Sequence, residues 1–488
     1  MTVMPNHRYR RGELHEFQAS GTDFMYLVSA GAIFALDAGT RAVLDLLGQG
    51  ENGQQEMSHG ALVEALVAVG NDPADAEDLV RELRQVRAIH SDQFTPVSVP
   101  DSPPMDFPLQ ALVLNVTNQC NLACTYCYEF GSDKIATPQG KPKYMTVETA
   151  RASVDFLLES SGNREAVHIT FFGGETLMNF KLLRDVVDYA NAQVKALGRR
   201  ITFSLTTNAT LLTDEIIAFL SDNAIGVTVS MDGPAELQDK RRVYKSGKGS
   251  YAVIEPRLRA LIAGHRTRAI TARVTLTDGV TDVIRIYRHL KDDLGFHEVG
   301  FAPVTASENQ AYSLDGDGMD GVLGGFHALA DEWLEYALRG QMHGFTNVSE
   351  TIGELIQGTN KSHPCGAGLG LLGVSPSGDL SPCHRFTDAD THTLGNLTDG
   401  LDQGKREDFL TRGHVGAKYE CQTCWARPLC AGGCHHEAFV RYGDTGHANL
   451  HYCDWIRDWT DTCLKIYGTL AARNPAFLER FAQRKGLS

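Results

Sequence analysis

The sequence predicts a multidomain α/β protein built around a parallel sheet. Its 488 residues exceed one ordinary domain, and a 42% hydrophobic content can fill two or three packed cores. Between Ala111 and about Val304, six apolar runs (ALVLNV, VHITFF, ITFSLT, GVTVSM, ITARVTL and EVGFAPV) alternate with segments of helical periodicity such as ARASVDFLLES, the rhythm of repeated βα units. Four prolines in VSVPDSPPMDFP can continue neither a helix nor a central strand, so a boundary falls near residue 105.

The flanking regions read differently. Residues 1–105 carry strand-like HEFQASGTDFMYLV and AIFALD, then helical TRAVLDLL, ALVEALVAV and AEDLVRELRQVRAI, a small α+β unit with its linker. Residues 106–310 hold the βα units, 311–362 a helical connector around GVLGGFHALADEWLEYALRG, and 363–488 a region rich in Cys, Gly, Pro and His with little periodicity. Loops of that kind bury too little apolar surface to fold alone, and metal ligation commonly supplies the missing free energy.

Composition excludes some classes. A net charge of −15 argues against phosphate-backbone binding, so nucleic acid is not expected as a partner. No apolar run reaches the roughly 20 residues of a membrane span and the N-terminus lacks a signal-peptide core, which predicts a cytoplasmic protein with no membrane contact. Eleven cysteines in a reducing compartment point to metal or cluster ligation rather than disulfides.

The polar signals fall at strand ends. Cys120, Cys124 and Cys127 follow the first strand, Gly173-Gly174-Glu175 the second, Asn208 the third and Ser230 the fourth, while Arg273 lies within the fifth. Parallel α/β folds build their sites at that edge. Three thiolates on one short loop leave one iron of a cubane cluster open to a small molecule, whereas structural zinc would want a fourth ligand nearby. The remaining thiols, apart from Cys463 on a helical pattern, form an array: Cys365, Cys383, then Cys421-x2-Cys424-x5-Cys430-x3-Cys434, and Cys453.

The Cys120-x3-Cys124-x2-Cys127 loop after a strand, with an aromatic before the third cysteine, resembles the radical S-adenosylmethionine (SAM) superfamily. The resemblance implies a partial (β/α)6 barrel, with a 4Fe-4S cluster on the three thiols and SAM on its open iron. Gly173, Gly174 and Glu175 resemble the strand end that takes the SAM amino group, although Thr176 stands where a proline is usual. Asn208 is similar to an asparagine near the ribose, with Ala209 in place of the commoner glycine. Ser230 resembles a contact to the ribose or carboxylate, and Arg273 a cation for the carboxylate.

The C-terminal array resembles the SPASM domain of peptide-modifying radical SAM enzymes, which carries two auxiliary 4Fe-4S clusters, three clusters in all. It implies Cys421, Cys424, Cys430 and Cys453 as ligands of an outer cluster and Cys365, Cys383 and Cys434 as ligands of an inner one. Two cubanes need eight ligands and the array supplies seven, so the inner cluster keeps an open iron or recruits another donor. Leu371 stands where some relatives carry a further Cys.

The N-terminal unit resembles winged-helix-like recognition domains that add a leader segment as an extra strand; capping of the barrel or dimerisation remains the alternative. Together the regions resemble the maturases of quinohemoprotein amine dehydrogenase. That resemblance implies intrapeptidyl thioether bonds between Cys and Asp or Glu methylene carbons of a small, Cys-rich, acidic polypeptide with a leader, and an electron donor such as flavodoxin or ferredoxin. Forming the substrate thiolate calls for a base, and Asp232, two residues beyond Ser230, is the expected one; a turn-forming Asp before Gly233-Pro234 is the competing reading. Other peptide maturation (formylglycine, Cα thioethers, carbon–carbon bonds) and a noncatalytic escort stay open. Leu371 and the N-terminal unit weigh against the sulfatase type.

Overall fold

The structure, a computed structural model, describes residues 7–49, 55–91, 104–137, 139–307 and 309–486. The first part of the expected linker, residues 97–103, lies outside them.

Six short strands belong to the N-terminal unit: β1 (Arg8–Arg11), β2 (Leu14–Ala19), β3 (Thr22–Leu27), β4 (Ala32–Ala35), β5 (Met57–Ser58) and β6 (Ile89–Ser91). They form two sheets, ordered β5-β1-β6 and β2-β3-β4. Helices Ala38–Leu47, His59–Ala68 and Pro73–Gln85 follow the expected patterns, and Asp37, Ser58 and Asp72 each cap a free helix N–H with a side-chain oxygen. Their buried faces close over Tyr9, Leu27, Val43, Leu62 and Val80, a core of their own.

The opposite face of β2 and β3 packs on helix Cys453–Arg473. Gly468 permits that approach, because a Cβ there would stand 3.0 Å from Ala19 and Phe17. Beside it, the His15 ring stacks on Trp425 at 3.7 Å and its Nε2 lies 2.7 Å from Asp461 Oδ1. The unit is thus docked against the C-terminal region.

The barrel strands are β7 (Ala111–Thr117), β8 (Ala166–Gly173), β9 (Arg200–Thr207), β10 (Gly226–Ser230), β11 (Ile270–Leu276) and β12 (Glu298–Pro303), side by side in chain order and all parallel. The sheet does not stop there. β13 (Leu371–Val374) pairs parallel with β7, and β14 (Asp379–Ser381), β15 (Gly395–Asn396) and β16 (Gly400–Leu401) continue it antiparallel to ten strands. The apolar run LLGV satisfies the open edge of β7, so the cysteine-rich region grows out of the sheet rather than standing apart from it.

Strand alternation sorts the residues. Val167, Ile169 and Phe171 of β8, Val227 and Val229 of β10, and Ile270, Ala272 and Val274 of β11 are buried against the helices. Their neighbours Phe172, Thr228, Ser230, Thr271 and Arg273 face the barrel interior and line its cavity.

Candidate radical site and cysteine array

The cavity has a volume of about 520 Å³, and Cys120, Cys124, Cys127, Gly173, Gly174 and Asn208 line one side of it. The cysteine loop is strapped in place by backbone bonds, Ala123 N–H to Val243 O at 2.7 Å and Gly131 N–H to Cys127 O at 2.6 Å. All three thiols are free. Burial pushes the Cys120 and Cys127 thiols up to about 12, so the bare loop does not hold thiolates easily and a cationic iron cluster would supply the missing compensation.

Gly174 is a cradle with no room for a side chain: its Cβ would meet Gln119 O at 2.3 Å and the Cys120 Cβ at 3.1 Å. The bare backbone holds the strand end against the cysteine loop. Glu175 acts from behind it. The residue is 1% exposed and outside the cavity, and its carboxylate accepts from Thr207 Oγ1 at 2.6 Å, Asn208 N at 2.7 Å and Leu177 N at 3.1 Å. Glu175 therefore ties β8 to β9, while the Asn208 Nδ2 donates to Asn121 Oδ1 at 3.0 Å within the loop. Ala209, where glycine is commoner, adopts a left-handed φ of 62°.

Ser230 and Arg273 pair in register across β10 and β11 and both reach the cavity. The cavity therefore extends below the strand ends, which is how a mid-strand arginine enters it. Gly300 lies beside it and has no room for a side chain, since a Cβ there would stand 2.5 Å from Thr346 Oγ1. Glu350, on helix Thr346–Ile356, lines the same wall. Burial raises its carboxyl, and the Arg273 charge partly offsets that rise.

Asp232 stands apart from its neighbours. It is wholly inaccessible and does not line the cavity. Oδ2 accepts from Tyr126 OH at 2.5 Å and Arg242 Nε at 2.8 Å, and Oδ1 from Arg242 Nη2 at 3.1 Å and Thr275 N at 3.0 Å. Tyr126 and Arg242 form the wall between it and the cavity.

His384 and Arg385, which follow Cys383 directly, line the same cavity; His384 lies against the Phe172 ring at 4.5 Å, and Arg385 over the ring of Tyr128, the residue after Cys127, at 5.1 Å. Sequence reasoning missed Arg242, Glu350, His384 and Arg385, because each comes from a loop or helix whose position only the tertiary fold determines. Burial holds His384 near 3, and Arg385 beside it works in the same direction.

The array divides into two neighbourhoods. Burial pushes Cys421 up to about 12; Lys418 opposes the rise, and Cys430, Cys424 and Cys453 add to it. Burial also pushes Cys383 up to about 12, where the nearby thiols are Cys434 and Cys365. The Cys421 thiol is thus influenced by Cys430, Cys424 and Cys453, and the Cys383 thiol by Cys434 and Cys365. His436, two residues after Cys434, is fully buried with both ring nitrogens unpartnered, a free donor close in sequence to the three-thiol group. Leu371 opens β13, its N–H bonded to Gly366 O at 2.9 Å. Among the described residues, no three or more His, Cys, Asp or Glu converge tightly enough to hold a single metal ion. Cys463 is fully buried. No described helix is long and apolar enough to cross a membrane.

Residues 114–290 match the Radical SAM superfamily. The chain is 37% identical over 142 residues to an uncharacterized protein of Methanocaldococcus jannaschii, an alignment covering 29% of this chain and 45% of that protein's length. It is 27% identical over 378 residues to a serine-type anaerobic sulfatase-maturating enzyme of Bacteroides thetaiotaomicron, covering 72% of this chain and 87% of that one. Among solved structures, native anSMEcpe with bound AdoMet superposes with a TM-score of 0.62 at 20% identity, over 77% of this chain and 99% of that one, a likeness of fold. The strapped three-thiol loop, the Gly-Gly strand end and the cavity between them make residues 114–290 a radical SAM domain, with the SAM and 4Fe-4S cluster that such a domain binds.

Proposed function

We propose that the protein is a radical SAM peptide maturase of the SPASM type that forms thioether bonds between Cys and Asp or Glu methylene carbons within a small polypeptide. One observation carries the reading: a single cavity is lined both by the three-thiol loop and by His384 and Arg385, next to the array thiol Cys383. A substrate in that space touches both redox neighbourhoods. When bound, SAM and its cluster supply a 5′-deoxyadenosyl radical, and auxiliary clusters supply an acceptor for the surplus electron.

Each crosslink removes a hydrogen atom from the methylene, a proton from the thiol and one electron, and forms one C–S bond. This chain's residues divide that work. Arg273 receives the SAM carboxylate, Ser230 and Asn208 its ribose, and the Gly173-Gly174 backbone its amino group. Asp232 takes the thiol proton through Tyr126, whose hydroxyl already donates to it at 2.5 Å and whose ring lines the cavity. Cys421, Cys424, Cys430 and Cys453 hold the outer auxiliary cluster, and Cys365, Cys383 and Cys434 the inner one.

The N-terminal unit supplies the leader site. β4 is the last strand of its sheet, with Phe34 exposed beside that edge, and strand addition there would satisfy its free backbone groups.

Formylglycine formation is the second reading, favoured by the alignment with sulfatase-maturating enzymes from Bacteroides thetaiotaomicron and Clostridium novyi. Anaerobic reduction with SAM in the presence of a Cys-rich acidic peptide or a sulfatase-derived peptide separates the two. The proposal expects 5′-deoxyadenosine release to rise at least tenfold with the first peptide only.

A further inference from the structure

Between the two groups of array thiols lies one buried ammonium. Lys418 is 2% exposed, and its Nζ donates to Ala431 O at 3.2 Å. Ala431 belongs to the turn Cys430-Ala431-Gly432-Gly433-Cys434, which leads from a thiol of the four-membered group to one of the three-membered group. The turn is shaped around the lysine. Ala431, Gly432 and Gly433 have φ of 48°, 84° and 82°, and a Cβ on Gly432 would meet Lys418 Cδ at 2.5 Å and Nζ at 2.8 Å.

The lysine is also tied to the first cysteine of the four-thiol group, since its carbonyl accepts from Cys421 N at 3.0 Å. Cys421 and Cys430 of the first group and Cys434 and Cys365 of the second all lie near enough to act on its charge. No carboxylate among the described residues pairs with it, so the anionic groups around this charge are the array thiols once they ligate as thiolates.

We propose that Lys418 is a positioning residue shared by both auxiliary clusters, a single fixed cation that raises the reduction potential of each. The inference rests on the two-cluster reading above. Reduction makes a cluster more negative, and net charge around a cluster is one of the factors that set its potential. A lysine ammonium is a compact point charge, and burial at the turn limits screening by water. A cation serving one cluster alone would move one potential; a cation at the Cys430–Cys434 turn moves both. The consequence is that both acceptors become easier to reduce together, so the lysine strengthens the pull on the surplus electron at either site.

The test uses the full-length chain, reconstituted with iron and sulfide, carrying Cys120→Ala, Cys124→Ala and Cys127→Ala so that the auxiliary sites alone give signals. Iron is counted and both midpoints are followed by EPR during an anaerobic redox titration, with Lys418 intact and with Lys418→Met, Lys418→Gln and Lys418→Arg. The expected result is unchanged iron, both midpoints lowered in the Met and Gln variants, and values near those of the parent in the Arg variant. Absence of iron from the parent overturns the two-cluster reading itself. Retained iron with only one midpoint moved, or neither, overturns the shared role of Lys418. Loss of iron in both neutral variants makes the lysine a structural prop and likewise overturns the proposal.

Discussion

Arg242 grips both carboxylate oxygens of Asp232, Nε to Oδ2 at 2.8 Å and Nη2 to Oδ1 at 3.1 Å, in a place closed to solvent. A buried pair of this kind is costly to break from one side, by about 3 kcal/mol or more, because the partner charge is left uncompensated. Asp232→Asn is therefore expected to lower stability by that order in chemical denaturation, and Asp232→Asn combined with Arg242→Met to recover part of it. The catalytic readout is separate. If the thiol proton reaches Asp232 through Tyr126, both Asp232→Asn and Tyr126→Phe reduce crosslinking at least tenfold while SAM cleavage persists. Undiminished crosslinking in either variant ends the base role.

Glu175 predicts a different signature. Its three hydrogen bonds hold the ends of β8 and β9 together without entering the cavity. Glu175→Ala removes an acceptor from buried donors, at about 1–3 kcal/mol. The expected result is a loss of SAM affinity of roughly tenfold or more, measured by calorimetry on the reconstituted protein, with iron content kept. Unchanged affinity would mean that the strand ends hold without it.

Gly174 predicts loss of the cluster itself. The Cβ of Gly174→Ala would press on Gln119 O at 2.3 Å, so the cysteine loop must move away. Iron should fall by one cluster, with the EPR response to added SAM abolished and the auxiliary signals retained. A SAM-responsive cluster at full occupancy would show that the loop tolerates the shift.

Acid should weaken the barrel through His168. Its ring nitrogens contact Thr202 Oγ1 and Ser204 Oγ, both at 2.8 Å, and burial, helped by Arg268, lowers its proton affinity below the ordinary 6.5. Below that value the unfolded chain takes up a proton that the folded chain refuses, so stability is present above 6.5 and is lost as pH falls toward the depressed folded value. Urea midpoints between pH 7.5 and 5 should fall, and less steeply in His168→Gln; equal slopes would remove His168 from the account.

The parts of the fold legible in the sequence are those governed by local pattern. The six barrel strands and the three N-terminal helices follow from apolar periodicity and caps at Asp37, Ser58 and Asp72. The three-thiol loop and Gly173-Gly174 were visible because spacing and glycine are local signals. The parallel pairing of β13 with β7 was not, since Leu371 lies 254 positions beyond Thr117 (371 − 117) and four apolar residues carry no register. Asp232 was legible as a strand-end carboxylate, but its burial depends on Arg242 arriving from a loop beyond Ala235–Arg241. Lys418 carries no sequence signal, because what makes it unusual is the turn folded around it.

The most direct test of the thioether reading is tandem mass spectrometry of a Cys-rich acidic polypeptide with its leader after anaerobic incubation with SAM, reductant and the reconstituted protein. The account predicts loss of two hydrogens per bond, mapped between a Cys sulfur and the methylene carbon of an Asp or Glu. Conversion of a Cys or Ser to formylglycine, or a bond to a Cα, would contradict it.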